Sequence, residues 1–399
     1  ELSADPTKLP FEFHVLADQL GMDSFAPEPW VAEDVLAWQS LMLRQFDPEA
    51  QKQGQLDNAA LFQYLTAAFG QTQGMAMFND LRWINDPAAY TSIPESNQDM
   101  AGTGIAAAAP ASDDISSAEA AEGLTRLARQ MDQRWADRKE KLEKINAYVK
   151  MGSYAWVVSG EKTASGRPII YSGPQMGFST PVICQEGFIE AGGLKISGMA
   201  VAGLPGIVIG RTPHHAWSMQ VGHARTVDYY FEPPPGAIPG YYTSRDETIN
   251  VAGQEPVTIS VYRTPHGPVV NPMPFDPENY TFSPDNPIVA WKYAHWGKEF
   301  QTIQAFLDLA RAENMDDFGA ALRDVAVSHH FCYADQDGNI AYWMSGMDPA
   351  RPDTNANGDP VDWRLPQGML TDPAEWSADN LKPLSTDRNT EQGFYAGWN

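Results

Sequence analysis

The period of the hydrophobic pattern changes along the chain. In the first 94 residues, apolar side chains such as Leu61, Leu65 and Phe69 recur at helical spacing, and each such stretch predicts a helix with one buried face. From Ser153 onward, short β-branched and aromatic runs alternate with Gly and Pro, a pattern typical of strands joined by turns. The sequence therefore predicts a helical region followed by a β-rich region.

Three further segments refine this division. Residues 95–117 are low in complexity and have the composition of a linker. Residues 117–150 combine many charged side chains with apolar positions at helical spacing, and they predict one long amphipathic helix. A further helix is predicted over 301–327, among the strands. This alternation of helix and strand favours an α+β fold over an all-β sandwich.

Composition limits the classes of partner. Acidic residues outnumber basic ones by 51 to 27, for a net charge of −24, which argues against nucleic acid or an anionic membrane as a partner. The sequence contains no run of 18 apolar residues that would predict a membrane-spanning helix. The two cysteines, Cys184 and Cys332, have no metal-binding spacing, and buried unpaired thiols are favoured over a single disulfide.

Ser153 is the candidate nucleophile. It follows Gly152 at the start of a predicted strand, and a glycine there leaves the preceding carbonyl open to attack by the serine hydroxyl. An acyl shift and hydrolysis of the resulting ester would leave Ser153 with a free α-amine, whose ordinary pKa is about 7.7 to 8. Such an amine can act as the base for its own hydroxyl.

An ordered set of motifs resembles the penicillin acylase family of N-terminal-nucleophile hydrolases. The set covers nearly the whole chain apart from about 95–150, where family members carry a spacer that is excised. Family precursors are longer, so this chain is similar to the middle of one. The matching pieces include Leu9-Pro10-Phe11-Glu12-Phe13, Leu56-Asp57-Asn58-Ala59-Ala60-Leu61, Gly173-Pro174-Gln175, Arg263-Thr264-Pro265-His266-Gly267 and Tyr395-Ala396-Gly397-Trp398-Asn399.

The resemblance implies a fold, a division of the chain and an activity. The fold is a four-layer αββα sandwich with an added helical region. Residues 1–94 correspond to the helical part of a small (alpha) chain, 95–152 to a linker or spacer, and 153–399 to the first part of a large (beta) chain. The activity is hydrolysis of an N-acyl amide with a hydrophobic acyl group, in the periplasm or outside the cell, by two chains produced through autoproteolysis.

The resemblance also assigns catalytic roles. Ser153 matches the nucleophile, Gln175 its neighbour near the amine, and Val221 a backbone N–H donor of the oxyanion hole. Arg351 matches an arginine that orients the second oxyanion donor. The family has Asn as that donor, whereas this chain has His330, so the strength of the hole would depend on the tautomer of the imidazole and on pH.

Five further positions match the substrate pocket of the family. Met and Ile replace aromatic and small polar residues there, which makes the expected pocket more aliphatic. A flexible acyl chain is therefore expected to compete with a phenylacetyl group. The five positions are Met42, Phe46, Met176, Ile209 and Met219.

Family members often bind calcium between the two chains. At two of the matching acidic positions this chain has Gln55 and Arg225, while Asp228 remains. A guanidinium is electrostatically wrong as a neighbour of Ca²⁺, which needs clustered oxygen ligands. The hypothesis is that Arg225 replaces the ion and pairs with Asp228, so that no metal or other cofactor is expected.

Adjacent histidines on a strand face opposite ways, so neither His214 and His215 nor His329 and His330 can ligate one ion as a pair. Structural roles are favoured for His214, His215 and His266.

The replacement at His330 also supports an alternative function. In this alternative the protein is an unprocessed precursor or a degenerate relative, which binds acyl compounds without turnover. The intact mass of the purified protein discriminates between the two interpretations, because only processing splits the chain at Ser153.

Overall fold

A computed structural model describes residues 5–21, 29–47, 54–82, 91–94, 118–144, 152–176, 182–251, 253–283 and 286–398. Its α-helices are α1 (Phe11–Leu20), α2 (Ala32–Gln45), α3 (Gly54–Phe69), α4 (Gln71–Leu81), α5 (Ala118–Lys144), α6 (Glu299–Arg311) and α7 (Met315–Leu322). Its strands are β1 (Ser153–Val158), β2 (Ile169–Pro174), β3 (Cys184–Ala191), β4 (Leu194–Val201), β5 (Ile209–Arg211), β6 (His215–Val221), β7 (Val227–Glu232), β8 (Thr243–Ile249), β9 (Val257–Thr264), β10 (Gly267–Pro268), β11 (Ile288–Tyr293), β12 (His329–Asp335), β13 (Ile340–Met344), β14 (Thr386–Arg388) and β15 (Phe394–Trp398).

Two antiparallel sheets are stacked face to face. The larger has seven strands in the order β14-β13-β12-β6-β5-β4-β3, and the smaller has the order β15-β1-β2. The inner side chains of β1, Ala155 and Val157, pack with Cys332 and Tyr342 of the large sheet in one buried cluster. Alternation along β1 therefore assigns every second residue, beginning with Ser153, to the interface between the sheets.

Helices α6 and α7 cover the other face of the large sheet. Leu309 and Phe318 of these helices pack against Trp217 and Phe331 of the strands. This arrangement of helices on stacked sheets confirms the predicted α+β fold class. The single helix predicted over 301–327 is wrong, because Asn314 starts a new helix by accepting hydrogen bonds from two backbone N–H groups of α7.

The outer face of the small sheet is aromatic. The rings of Tyr154 and Trp156 stack on Tyr171 at centroid distances of 5.6 and 5.3 Å. Trp398 on the neighbouring strand is 77% exposed. Within the described ranges, this apolar face therefore remains open to solvent.

The helical region packs around α3, which contacts α4, α5 and β7. Phe62, Phe78 and Leu124 share a buried cluster with Leu365. Helix α5 falls inside the predicted amphipathic segment 117–150, whereas the predicted linker over 95–117 lies outside the described residues. The division of the chain into three parts stays a prediction.

Candidate active site

Ser153 is the first residue of the central strand of the small sheet. Its position on the inner face of β1 leaves it 7% exposed. It is paired in register with Pro174 of β2. Proline is tolerated at this register position because the flanking pairs carry the interstrand hydrogen bonds.

The next pair in this ladder joins Gly152 to Gln175. The backbone N–H of Gln175 donates to the carbonyl oxygen of Gly152 at an N···O distance of 2.5 Å. A Cβ atom on Gly152 would lie 3.4 Å from the Gln175 side-chain oxygen, which is an ordinary contact. The carbonyl that precedes Ser153 is thus held by a donor, and the space around Gly152 does not itself require glycine.

A pocket of about 880 Å³, including its open mouth, lies beside Ser153. Most of the residues that line it are apolar, as is typical of sites for small molecules. The five predicted substrate positions, Met42, Phe46, Met176, Ile209 and Met219, all line it, together with Ser153 and Val221. The structure therefore brings the proposed nucleophile and the predicted substrate pocket together.

Several lining residues were not predicted from the sequence. Ile303 and Phe306 come from α6, and Met199 and Val208 from β4 and the loop before β5. The helical spacing of Ile303 and Phe306 is a signal for one face of a helix, but it does not distinguish a pocket wall from a core contact. His329 is a further lining residue and is 4% exposed.

His330 and Arg351 occupy other surroundings. Neither is among the described residues that line the pocket. The His330 ring stacks on Tyr342 at a centroid distance of 5.5 Å and contacts its hydroxyl, and burial lowers the pKa of His330 to about 4. Arg351 bonds Asp228 and Asp348 through its guanidinium, each at 2.7 Å.

Asp228 is the centre of a buried hydrogen-bond network. Its carboxylate is 0% exposed and accepts from four side chains. The donors are Arg225 at 2.9 Å, Gln55 at 2.8 Å, Arg351 at 2.7 Å and Trp376 at 2.9 Å. This donor set does not fit Ca²⁺, because a cation needs oxygen ligands where the two guanidinium groups are placed. Within the described ranges, no cluster of three or more His, Cys, Asp or Glu side chains is placed to hold a metal ion.

His215 and His266 both bond to other groups of the protein. His215 is 3% exposed, its Nε2 lies 3.0 Å from the Leu309 carbonyl oxygen, and burial lowers its pKa to about 4. His266 lies between two carboxylates, with Nδ1 3.0 Å from Glu232 and Nε2 2.7 Å from Glu375. These contacts place both histidines in the structural framework.

The cysteines are unpaired, since Cys184 and Cys332 are both free thiols. None of the helices that the structure describes has the length and apolarity required to cross a membrane.

Comparisons with known proteins show which family the chain is similar to. A family model described as penicillin amidase matches residues 1–399. Penicillin G acylase from Escherichia coli is 28% identical over 417 residues, an alignment that covers 96% of this chain and 46% of that protein. The acyl-homoserine lactone acylase QuiP from Pseudomonas fluorescens (strain Pf0-1) is 24% identical over 349 residues, covering 84% of this chain and 38% of that protein.

The chain is also similar in fold to a solved structure. A thermostable penicillin G acylase from Alcaligenes faecalis superimposes with a TM-score of 0.52 at 27% identity, over 62% of this chain and 44% of that chain. The chain therefore spans less than half the length of each of these relatives.

Proposed function

The chain belongs to the penicillin amidase family, and from this premise we propose that the protein is an amidase that forms an acyl-enzyme on Ser153. The observation that carries the proposal is the position of Ser153 on the wall of a largely apolar pocket. In the proposed reaction the Ser153 hydroxyl attacks the substrate amide carbonyl, the amine leaves, and water hydrolyses the ester. The backbone N–H of Val221, which lines the same pocket, is the proposed donor to the oxyanion.

The proposed nucleophile requires autoproteolysis before Ser153. Ser153 Oγ attacks the Gly152 carbonyl carbon, the C–N bond breaks, and the nitrogen takes a proton to become the α-amine. Water then cleaves the ester to a Gly152 carboxylate and a free hydroxyl. The 2.5 Å hydrogen bond from Gln175 to the Gly152 oxygen supports this step, because the same N–H would stabilise the negative charge that develops there.

The substrate class follows from the pocket walls. Met42, Met176, Met199 and Met219 give the pocket flexible, polarisable side chains, which adapt to ligands of different shape. We propose that a linear hydrophobic acyl chain competes with a phenylacetyl group in this pocket. The names of the relatives, which include acylases of penicillin G and of acyl-homoserine lactones, are compatible with amides of either kind. We also propose, from the family resemblance alone, that the enzyme works in the periplasm or outside the cell.

Two measurements test this function together. Intact mass should show two fragments divided before Ser153, and the processed protein should hydrolyse a series of linear acyl amides at rates comparable with phenylacetyl amide. Ser153→Ala should remain one chain and hydrolyse none of them. A wild-type protein that remains one chain would instead support the binding-only alternative, and a strong phenylacetyl preference would contradict the proposed substrate class.

A further inference from the structure

The wall of the pocket that α2 forms includes a polar side chain. Gln39, Met42, Leu43 and Phe46 recur at helical spacing on one face of this helix, and all four line the pocket. Gln39 is 6% exposed, although its neighbours on this face are apolar. A buried amide normally bonds to other groups of the protein, so this position needs an explanation.

The Gln39 amide does not follow that rule. Within the described ranges it has no hydrogen-bond partner, and neither its oxygen nor its nitrogen is sealed from solvent. A glutamine amide offers N–H donors and a carbonyl acceptor. Since Gln39 lines the pocket, both kinds of group are available to a molecule bound there.

Gln39 lies far from the end of the pocket where the reaction is proposed to occur. At that end, the Phe46 ring lies 6.2 Å from the ring of His329, which is paired in the sheet with Val221. Gln39 precedes Phe46 by about two helical turns, which corresponds to roughly 10 Å along the helix axis. The amide is therefore about one pocket length away from the proposed oxyanion donor.

The large sheet gives the same separation. Trp38, the neighbour of Gln39, donates from its indole N–H to the carbonyl oxygen of Ala202, directly after β4, at 2.8 Å. Strand β5 separates β4 from β6, the strand that carries Val221. Two interstrand spacings of about 4.8 Å again amount to roughly 10 Å. Helix α2 thus crosses the strands, with Gln39 on the β4 side and Phe46 on the side of Val221.

We propose, on the basis of the proposed amidase function, that Gln39 is a specificity residue that hydrogen-bonds a hydroxyl group at the far end of the acyl chain. An extended alkyl chain advances about 1.25 Å per carbon, because its bonds are about 1.5 Å long, so this hydroxyl stands roughly eight carbons from the scissile carbonyl. A hydroxyl can donate to the amide oxygen and accept from the amide N–H. A methyl group at the same place would displace water from the amide without replacing its hydrogen bonds, which is unfavourable.

The test uses two series of amides with one leaving group and acyl chains of about four to about ten carbons, one series plain and the other with a terminal hydroxyl. In the wild type, the ratio of kcat/KM for the hydroxylated amide to that for the plain amide should be largest near about eight carbons. Gln39→Met keeps the length of the side chain but not its polar atoms. It should lower this ratio by about two- to tenfold, the effect of one lost neutral hydrogen bond. The shortest pair does not reach Gln39, so its ratio should stay the same.

Two further variants locate the effect on α2. Gln45→Met makes the same change on the same helix at a residue that is absent from the described pocket lining, and it should leave every ratio unchanged. The double variant Gln39→Met and Met42→Gln moves the amide by about 4.5 Å toward Phe46, so the largest ratio should shift to chains about three to four carbons shorter. Gln39→Leu repeats the main comparison if Gln39→Met does not fold.

A binding measurement separates this inference from the proposed function. The affinities of the same amides for Ser153→Ala, with and without Gln39→Met, give the comparison without turnover, so the inference is tested even if hydrolysis is not seen. A ratio that Gln39→Met leaves unchanged at every chain length would overturn the inference. An equal change at all chain lengths would also overturn it, because Gln39 would then act on the shape of the pocket rather than on the end of the chain.

Discussion

The backbone nitrogen of Gln175 lies 2.5 Å from the carbonyl oxygen of Gly152, to which its N–H donates. These two residues stand one register position before the pair formed by Ser153 and Pro174. This hydrogen bond extends the β1–β2 ladder by one residue. The carbonyl carbon that Ser153 would attack in autoproteolysis is therefore fixed by strand pairing. The donor comes from the main chain, so any residue except proline at position 175 can provide it.

Removing this N–H should slow autoproteolysis. Gln175→Pro lacks the donor and is expected to reduce the rate of cleavage by about 10²- to 10³-fold, the effect of losing one oxyanion-hole donor. Gln175→Ala keeps the N–H and should be cleaved close to the wild-type rate. The measurement is the appearance of the two fragments by intact mass, with circular dichroism to verify folding. Equal cleavage of both variants would remove Gln175 from the proposed step.

Gly152 should tolerate a side chain. Because a Cβ there meets only ordinary contacts, Gly152→Ala is expected to fold and to be cleaved at Ser153. Intact mass of the purified variant checks this expectation. If the Gly152→Ala protein folds but is not cleaved, the attack of the Ser153 hydroxyl on the preceding carbonyl requires glycine, although the folded chain has room for a Cβ atom at position 152.

The network around Asp228 predicts unequal effects on stability. Asp228→Ala removes one of the two carboxylates that pair with the buried Arg351 guanidinium, and it also removes the buried acceptor of Gln55 and Trp376, which together should cost about 3–5 kcal/mol of unfolding free energy. Arg225→Ala should cost only about 1 kcal/mol, because the Arg225 side chain is 30% exposed and Arg351 still pairs with Asp228. Urea denaturation of the two variants compares these values, and equal losses would contradict the account.

The same network predicts that calcium is not required. We expect neither a chelator nor added Ca²⁺ to change the melting temperature, because Arg225 supplies positive charge to Asp228. The double variant Gln55→Glu and Arg225→Asp restores the two acids and should bind Ca²⁺. At a calcium concentration of 100 Kd the ion should add about 2.7 kcal/mol to the free energy of unfolding, which raises the melting temperature. A calcium-dependent wild type would show that Arg225 has not replaced the ion.

Motif matching predicted more of the pocket than periodicity could. The positions of Met42 and Met219 are far apart in sequence, and only an ordered set of motifs relates them before folding brings both to one pocket. Strand alternation shows that His329 and His330 face opposite sides, but it does not show which side holds the pocket. His329 shares its face with Phe331, which the helices cover, and Ile303 and Phe306 of α6 line the pocket beside it. The assignment therefore depends on how the helices and sheets pack in the assembled fold.

The helix boundary at Asn314 illustrates a different limit. The helical pattern of apolar residues continues from α6 into α7, and this continuity predicted one helix. The stop signal was present as Asn314 followed by Asp316 and Asp317, a sequence typical of a helix start. The apolar spacing favoured one helix, whereas the cap residue Asn314 favoured a break. The helix breaks because the Asn314 side chain accepts hydrogen bonds from the first backbone N–H groups of α7.

His266 predicts a loss of stability at alkaline pH. Burial disfavours its charged form, but the hydrogen bonds to Glu232 and Glu375 outweigh burial and raise the pKa of His266 to about 9. A group whose pKa is raised by folding stabilises the protein below its unfolded pKa of about 6.5, and this contribution is lost as the pH rises through the folded value. Since Glu375 is partly exposed, we expect charged His266 to contribute about 1–2 kcal/mol to the free energy of unfolding.

The measurement compares wild type with His266→Gln, which is neutral at every pH. Unfolding free energies from urea titrations should differ most below about pH 6.5 and converge above about pH 9, as the wild-type imidazole loses its proton. Lys292, whose Nζ lies 2.6 Å from a Glu375 carboxylate oxygen, is present in both proteins and keeps one partner for that carboxylate. A difference that stayed constant up to pH 10 would show that His266 stabilises the fold by packing on Tyr230 rather than through its charge.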